Sequence, residues 1–273
     1  MNQSCHSTLN AAAPLHQASP LAAAREAASS SALRSCTACG MHQLCLPMGL
    51  DEADMKRLDK IIGRRKVARD DFLYRIGDRF TALYAVRVGH FKTYQENLDG
   101  DRQITGFQMP GELLGMDAIS TERHQCDAVA LQDSEVCEIP FARLEQLFGQ
   151  IPHLLRHFHR IMSHEITSEQ NVIMLLGNMR AEQRFAAFLI NLSSRYAARG
   201  YSSTRFQLRM TRQDVGNYLG LTIESISRLI SKFRKQGLLA VEQRDVEVID
   251  LPALKKLAAG VDACTPPGAR AAS

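Results

Sequence analysis

Thr211-Arg-Gln-Asp-Val-Gly-Asn-Tyr-Leu-Gly-Leu-Thr-Ile-Glu-Ser-Ile-Ser-Arg-Leu-Ile-Ser-Lys-Phe233 sets two capping residues ahead of two helical patterns, with a glycine between them. Thr211 can cap a helix that carries Val215, Tyr218 and Leu219 inward. Gly220 can supply a tight turn, and Thr222 caps a second helix whose Ile223, Ile226, Ile230 and Phe233 form one apolar stripe. Two helices joined by so short a turn are a helix-turn-helix. Beyond Gly237, residues 238–241 and 246–249 flank a polar turn and are expected to form a β-wing.

The stripe leaves Glu224, Ser225, Ser227, Arg228, Ser231 and Lys232 on exposed or flanking faces. Polar side chains at the start of a second helix are what major-groove reading requires. Arginine can bond guanine O6 and N7 together, and glutamate can accept from cytosine N4. Lys232, Arg234, Lys235 and Arg212 are expected to hold phosphates. The chain as a whole carries only +4, but residues 205–244 hold eight Lys or Arg against three Asp or Glu. That local excess suits a phosphate backbone, although a solvated charged face has the same composition. Turn, stripe and wing together favour the DNA-reading helix pair over an ordinary helical hairpin.

Working toward the N-terminus, a helical period runs over residues 152–178, then over 180–199, stopping at Gly200. In the first of these Leu155, His159, Met162, Ile166, Glu169, Ile173 and Leu176 recur with the alternating gaps of a coiled-coil seam. The adjacent stripe of Leu154, Phe158, Ile161, Val172 and Leu175 is expected to pack on the chain's own roll. Glu169 breaks the seam. Either the helix is rotated enough for it to reach solvent, or two copies bring two carboxylates together at a cost of several kcal/mol.

Between residues 66 and 140 short β-rich runs alternate with turn signals: 72–74, 83–88, 91–94, 103–109 and 128–139. Asp99-Gly100 between two such runs reads as a hairpin. This spacing predicts a small antiparallel roll. Ahead of it, Asp51 reads as the cap of a short helix through Leu58, Ile61 and Ile62, ended by Gly63.

Seven cysteines occupy positions 5, 36, 39, 45, 126, 137 and 264. No apolar run is long enough to span a membrane and no secretory leader is legible, so a cytoplasmic setting is expected, where thiols bind metals more often than they form disulfides. Cys36-x2-Cys39-x5-Cys45 concentrates three thiols in ten residues, with His42 among them. The fourth partner is Cys137 or Cys126, and the spacing fits zinc or an iron–sulfur cluster equally. A lone cysteine such as Cys126 also reads as a small buried apolar residue.

These motifs resemble the Crp/Fnr regulators, and among them the fumarate and nitrate reduction branch, over residues 36–260. The resemblance rests on the cysteine spacing, Val136-Cys-Glu-Ile-Pro-Phe141, Gln103-Ile-Thr-Gly-Phe107, Asp214-Val-Gly-Asn-Tyr-Leu-Gly-Leu221 and Glu224-Ser-Ile-Ser-Arg228. It implies a 4Fe–4S cluster on Cys36, Cys39, Cys45 and Cys137, and base contacts from Glu224, Ser227 and Arg228. It also implies a homodimer on a double-stranded DNA operator with inverted TTGAT-like half-sites, oxygen as the signal, and contact between roll loops and RNA polymerase, with the Asp99-Gly100 turn a candidate. Where the cyclic-nucleotide branch carries an Arg-Ser pair, this chain has Glu122-Arg123-His124.

The expected architecture is α+β. It has a tail (1–34), a cysteine segment and β-roll sensor domain (35–150), a dimerisation helix (151–178) and a connecting helix (179–200). A winged helix-turn-helix domain (201–260) and a second tail (261–273) follow. No phosphate-cradling glycine loop, nucleophile elbow or paired-histidine zinc motif is present, so no enzyme is expected. A regulator answering to zinc, thiol oxidation or a small molecule is the alternative.

Overall fold

The structure is a computed structural model that describes residues 35–96 and 100–260. The sequence readings for both tails, Cys5, Cys264 and the Asp99 turn lie outside the described residues. The described chain falls into two units, divided between Cys39 and Gly40. The first is a single 3-10 turn, Cys36–Ala38, capped by Ser35, whose Oγ accepts from the Thr37 amide at 3.1 Å.

The second unit holds every other element. Helix α1 (Glu52–Asp59) starts at Asp51, whose carboxylate accepts from the Asp54 amide as a cap should. It ends earlier than the sequence pattern suggested. Gly63 opens strand β1 (Gly63–Val67), which pairs with β8, so the chain must leave the helix to reach the sheet.

Strands β2 (Phe72–Tyr74), β3 (Ala82–Val88), β4 (Phe91–Glu96), β5 (Arg102–Gln108), β6 (Leu113–Leu114), β7 (Asp127–Ala130) and β8 (Ser134–Pro140) follow. They form two antiparallel sheets, ordered β1-β8-β3-β6 and β2-β7-β4-β5. The run expected over 128–139 is thus two strands in different sheets, turned where Asp133 accepts from the Arg69 amide.

Side chains alternate across each sheet. Val67, Tyr84, Val86, Phe91 and Val136 fill the space between the sheets. Leu83, Cys137 and Ile139 point to the other face of the first sheet. That outer face is covered by α1, by α2 (Phe141–Gln150) and by the start of α3 (Pro152–Asn178). Helix α2 was not anticipated, although Phe141, Leu144, Leu147 and Phe148 carry a helical period.

Helix α4 (Ala181–Ala198) leads to β9 (Arg205–Gln207), α5 (Arg212–Leu219), α6 (Ile223–Lys235), β10 (Leu239–Glu242), β11 (Asp245–Val248) and α7 (Leu251–Ala258). Strand β9 joins the wing as a third strand beside β11, and α7 closes the domain; neither was read from the sequence. Phe185 of α4 and Phe233 of α6 meet at the centre of this core, their rings 5.6 Å apart. Among the described residues no helix is long and apolar enough to cross a membrane.

Candidate nucleic-acid interface and cysteine site

The helix pair forms because its caps are satisfied. Thr211 and Asp214 make a reciprocal capping box at the start of α5. Gly220 ends that helix in the left-handed conformation, at φ +62°, which side chains avoid. The Thr222 hydroxyl accepts from the Ser225 amide to start α6. The inward stripe of α6 is Ile226, Leu229, Ile230 and Phe233. Ile223 does not belong to it. It is 44% exposed, because it is the first residue of the helix and sits beyond the edge of the core.

Glu224 and Arg228 are exposed and Ser227 is half-buried, all on the outer side of α6. Hydrogen bonds to its own backbone amide and to the Thr222 hydroxyl, helped by the Arg228 charge, lower the Glu224 carboxyl pKa and keep it an acceptor. Arg228 donates to Ser225 Oγ at 3.3 Å, which orients the guanidinium along the helix face. Ser227, Arg228, Ser231, Lys232 and Lys235 line one recess. Arg212, Arg234 and Lys235 are exposed, whereas Lys232 is held by Glu182 at 2.6 Å and would have to exchange that partner for a phosphate.

The four predicted cluster ligands, Cys36, Cys39, Cys45 and Cys137, are all cysteines of the described chain. Cys36 and Cys39 bracket the 3-10 turn of the first unit, with the Cys39 amide donating to the Cys36 carbonyl. In the second unit, Cys137 lies in the apolar cluster on the outer face of β8, and Cys45 packs against the same cluster. Leu46, fully buried beside Cys45, joins Leu154 and Phe158 at the start of α3 there. The His157 ring lies 3.2 Å from the Cys45 carbonyl oxygen. Arg64 Nη1 donates to Cys137 Sγ at 3.0 Å, a contact the sequence gave no signal for.

Cys126 is buried inside the roll, where burial first and the Asp117 carboxylate second push its thiol up to about 12. Its reading as a small buried side chain therefore fits. His42 Nε2 lies 2.9 Å from the Gln43 side-chain amide. Among the described residues no three His, Cys, Asp or Glu side chains are arranged to hold a metal ion. Thiolates around a 4Fe–4S core bind different irons and stand further apart than ligands sharing one ion. Cysteine sulfur is the soft donor that such a core takes, so the four residues fit it in chemistry.

On α3 the two expected stripes separate only in part. Leu154 and Phe158 are buried, Ile161 and Leu175 are half-buried against the chain's own cores, as is Met162 of the predicted seam, and Val172 is half-buried. In the predicted seam Leu155, Met162 and Leu176 are half-buried, and His159, Ile166, Glu169 and Ile173 are exposed. Ile166, Ile173 and the neighbouring Met174 are 54%, 69% and 61% exposed, a row of apolar side chains that the single chain leaves uncovered. Burial first, then the charges of Glu112 and Glu169, raise the pKa of Glu165 on the same helix.

Arg123 donates to the Gly77 carbonyl at 2.7 Å, and His124 is buried with its ring stacked 3.7 Å from Tyr74. Within Glu122-Arg123-His124, Arg123 thus ties down the Gly77 turn and His124 packs inside the roll.

A β-roll joined by a long helix to an exposed recognition helix and wing defines a DNA-binding transcription regulator. Residues 64–150 match the cyclic nucleotide-binding domain family and residues 183–257 the Crp-like helix-turn-helix domain. The chain belongs to the Crp/Fnr family of transcription regulators, which are not enzymes. It is 46% identical over 230 residues to the transcriptional regulatory protein btr of Bordetella pertussis, covering 84% of this chain and 95% of that one. It is 46% identical over 224 residues to the fumarate and nitrate reduction regulatory protein of Escherichia coli, covering 82% and 90%. The transcriptional activator protein Anr of Pseudomonas protegens is 44% identical over 226 residues, covering 82% and 93%. The solved structure of FixK2 from Bradyrhizobium japonicum superposes with a TM-score of 0.67 at 28% identity, covering 72% of this chain and 97% of that one.

Proposed function

We propose that this chain is an oxygen-responsive regulator. In this reading a 4Fe–4S cluster held by Cys36, Cys39, Cys45 and Cys137 favours a homodimer that binds inverted TTGAT-like half-sites, from which it contacts RNA polymerase. The observation that carries this reading is the shared packing of Cys45, Cys137 and the start of α3 in one apolar cluster. Relatives named as anaerobic and fumarate and nitrate reduction regulators support it.

Bound there, the cluster would supply iron–thiolate bonds that oxygen can remove. The chain's own residues do the rest. Leu46, Leu154 and Phe158 link the cysteine segment to the dimer helix, so fixing Cys45 and Cys137 in place also fixes where α3 begins. Ile166, Ile173 and Met174 then offer the apolar face that a second copy would cover. Shifting a two-state equilibrium from mostly one side to the other needs about 5.5 kcal/mol. Structural zinc on a comparable set of protein ligands supplies roughly 10–16 kcal/mol, so a multi-thiolate site has energy to spare. Glu224, Ser227 and Arg228 would read bases, while Arg212, Arg234, Lys235 and a released Lys232 hold phosphates.

The test is an anaerobic absorption spectrum with iron and sulfide analysis, followed by an operator gel shift before and after exposure to air. The expected result is a brown protein that loses colour, iron and operator binding together. A colourless zinc protein that still binds its operator would overturn the reading.

A further inference from the structure

Two of the motifs that mark the family, Gln103-Ile-Thr-Gly-Phe107 and the stretch from Asp214 to Leu221, have no part in cluster ligation or base reading. The structure brings them together. Strand β5 is the outer strand of its sheet, so one row of its backbone groups has no partner strand. The Asn217 side chain takes that place. Its Oδ1 accepts from the Ile104 amide and its Nδ2 donates to the Arg102 carbonyl, each at 2.5 Å. One primary amide thus satisfies a donor and an acceptor two residues apart on the strand edge, as a neighbouring strand would. Gln103 Nε2 returns a bond to the Asn217 carbonyl at 2.8 Å.

Two further contacts flank this pairing. Lys92 Nζ on β4 donates to Asp214 Oδ1 at 2.7 Å, with both side chains largely shielded from water. The other Asp214 oxygen caps α5, so the start of that helix is anchored to the roll. On the far side Phe107 packs against Tyr218, the ring centroids 5.2 Å apart. All of these contacts use α5 and none uses the outer face of α6. Glu224 and Arg228 stay exposed while the domain is docked.

We infer that Asn217 and the Lys92–Asp214 pair are positioning residues: they clasp each recognition helix to its own roll, so that a dimer presents two such helices at one fixed separation. The inference rests on the paired half-site reading proposed above. Contacts to a single half-site need only one helix. Contacts to two need a matched distance, and a domain that swings freely loses orientational freedom on the second contact while tolerating altered spacing.

The experiment uses the full chain, prepared without oxygen, and three duplexes: one half-site, two inverted half-sites at operator spacing, and two half-sites with two extra base pairs between them. Asn217→Ala and Lys92→Met are each expected to weaken binding to the correctly spaced pair by about tenfold, with single half-site binding unchanged and the penalty for wrong spacing reduced. An equal loss on the single half-site, or an unchanged spacing penalty, overturns the inference. Amide exchange gives a readout free of DNA, and Gln103→Ala is the milder variant should Asn217→Ala unfold. Exchange across residues 102–108 should accelerate in either variant while α6 keeps its protection, and unchanged exchange also overturns the clasp. If wild type itself does not prefer two half-sites to one, the paired reading fails, and the exchange result still judges the clasp.

Discussion

The Arg64 guanidinium donates a hydrogen bond to the Cys137 sulfur across strands β1 and β8, at 3.0 Å. A guanidinium is permanently charged, so it stabilises electron density on the sulfur it faces. Glu135, 3.8 Å from Arg64 and 2.8 Å from Arg87, helps to hold that guanidinium in place. Groups that orient a metal ligand commonly change affinity by about 10–100-fold when lost. Arg64→Met should therefore yield chains with markedly less iron and sulfide after anaerobic reconstitution, while the thermal midpoint of the apoprotein moves little. Full loading of the variant would remove Arg64 from the site.

Glu169 interrupts the apolar face of α3, three residues beyond Ile166 and four before Ile173. If that face pairs with a second copy, two carboxylates approach each other. Glu169→Ala in air-exposed protein should then tighten self-association by about tenfold, a change of ~1.4 kcal/mol. Sedimentation velocity reads this directly, and an unaltered monomer fraction would mean that Glu169 points away from the partner.

Gly216 faces the turn of the helix pair. A Cβ built there would lie 2.6 Å from the Leu221 carbonyl oxygen, a backbone atom fixed by the turn. The Gly216 carbonyl also accepts from the Leu221 amide at 2.8 Å, so the helix end and the turn cannot separate cheaply. Gly216→Ala should cost about 1–3 kcal/mol by overpacking and lower operator binding with it. Denaturant titration of the full chain checks the first effect, and a midpoint equal to wild type would show that the turn can relax.

His90 has both ring nitrogens buried, and among the described residues neither has a hydrogen-bond partner. Burial first, then the charges of Arg209, Arg195 and Arg199 against the opposing Glu112, lower its pKa to about 4. As pH falls below about 6.5 the unfolded chain takes up a proton that the folded protein refuses until about 4. Stability is therefore complete above that window and declines through it, by about 3 kcal/mol at most. His90→Leu should flatten the fall in melting temperature between pH 7 and pH 5. The same slope in both proteins would assign the decline to other groups.

Much of the fold was legible because its signals are local. The caps Asp51, Thr211 and Thr222 and the left-handed Gly220 all act where the sequence placed them. On α3 the core stripe was legible in Leu154 and Phe158, whereas Met162, expected on the seam, packs on the chain's own core beside Ile161. What escaped depends on distant partners. Strand β1 exists because β8 accepts it, and β9 because β11 does. Helix α7 was readable in principle, since Asp250 caps it and Leu251, Leu254 and Leu257 recur every third residue. The four cysteine positions were visible as chemistry, but the choice of Cys137 over Cys126 came from resemblance. The structure adds a physical distinction: Cys126 faces the inside of the roll, where its thiol is pushed up to about 12, and Cys137 faces the helices.

That distinction is one of parity. Along β8 the odd-numbered Cys137 and Ile139 share a face, and Val136 takes the opposite one. Deleting one residue after Asp133 would exchange the two sets, sealing the sulfur inside the roll and turning a valine toward the helices. Length changes confined to the turn before the strand should be survivable, whereas an odd slip within its register would drag the Glu135 carboxylate into the roll's interior and take the sulfur away from the helices.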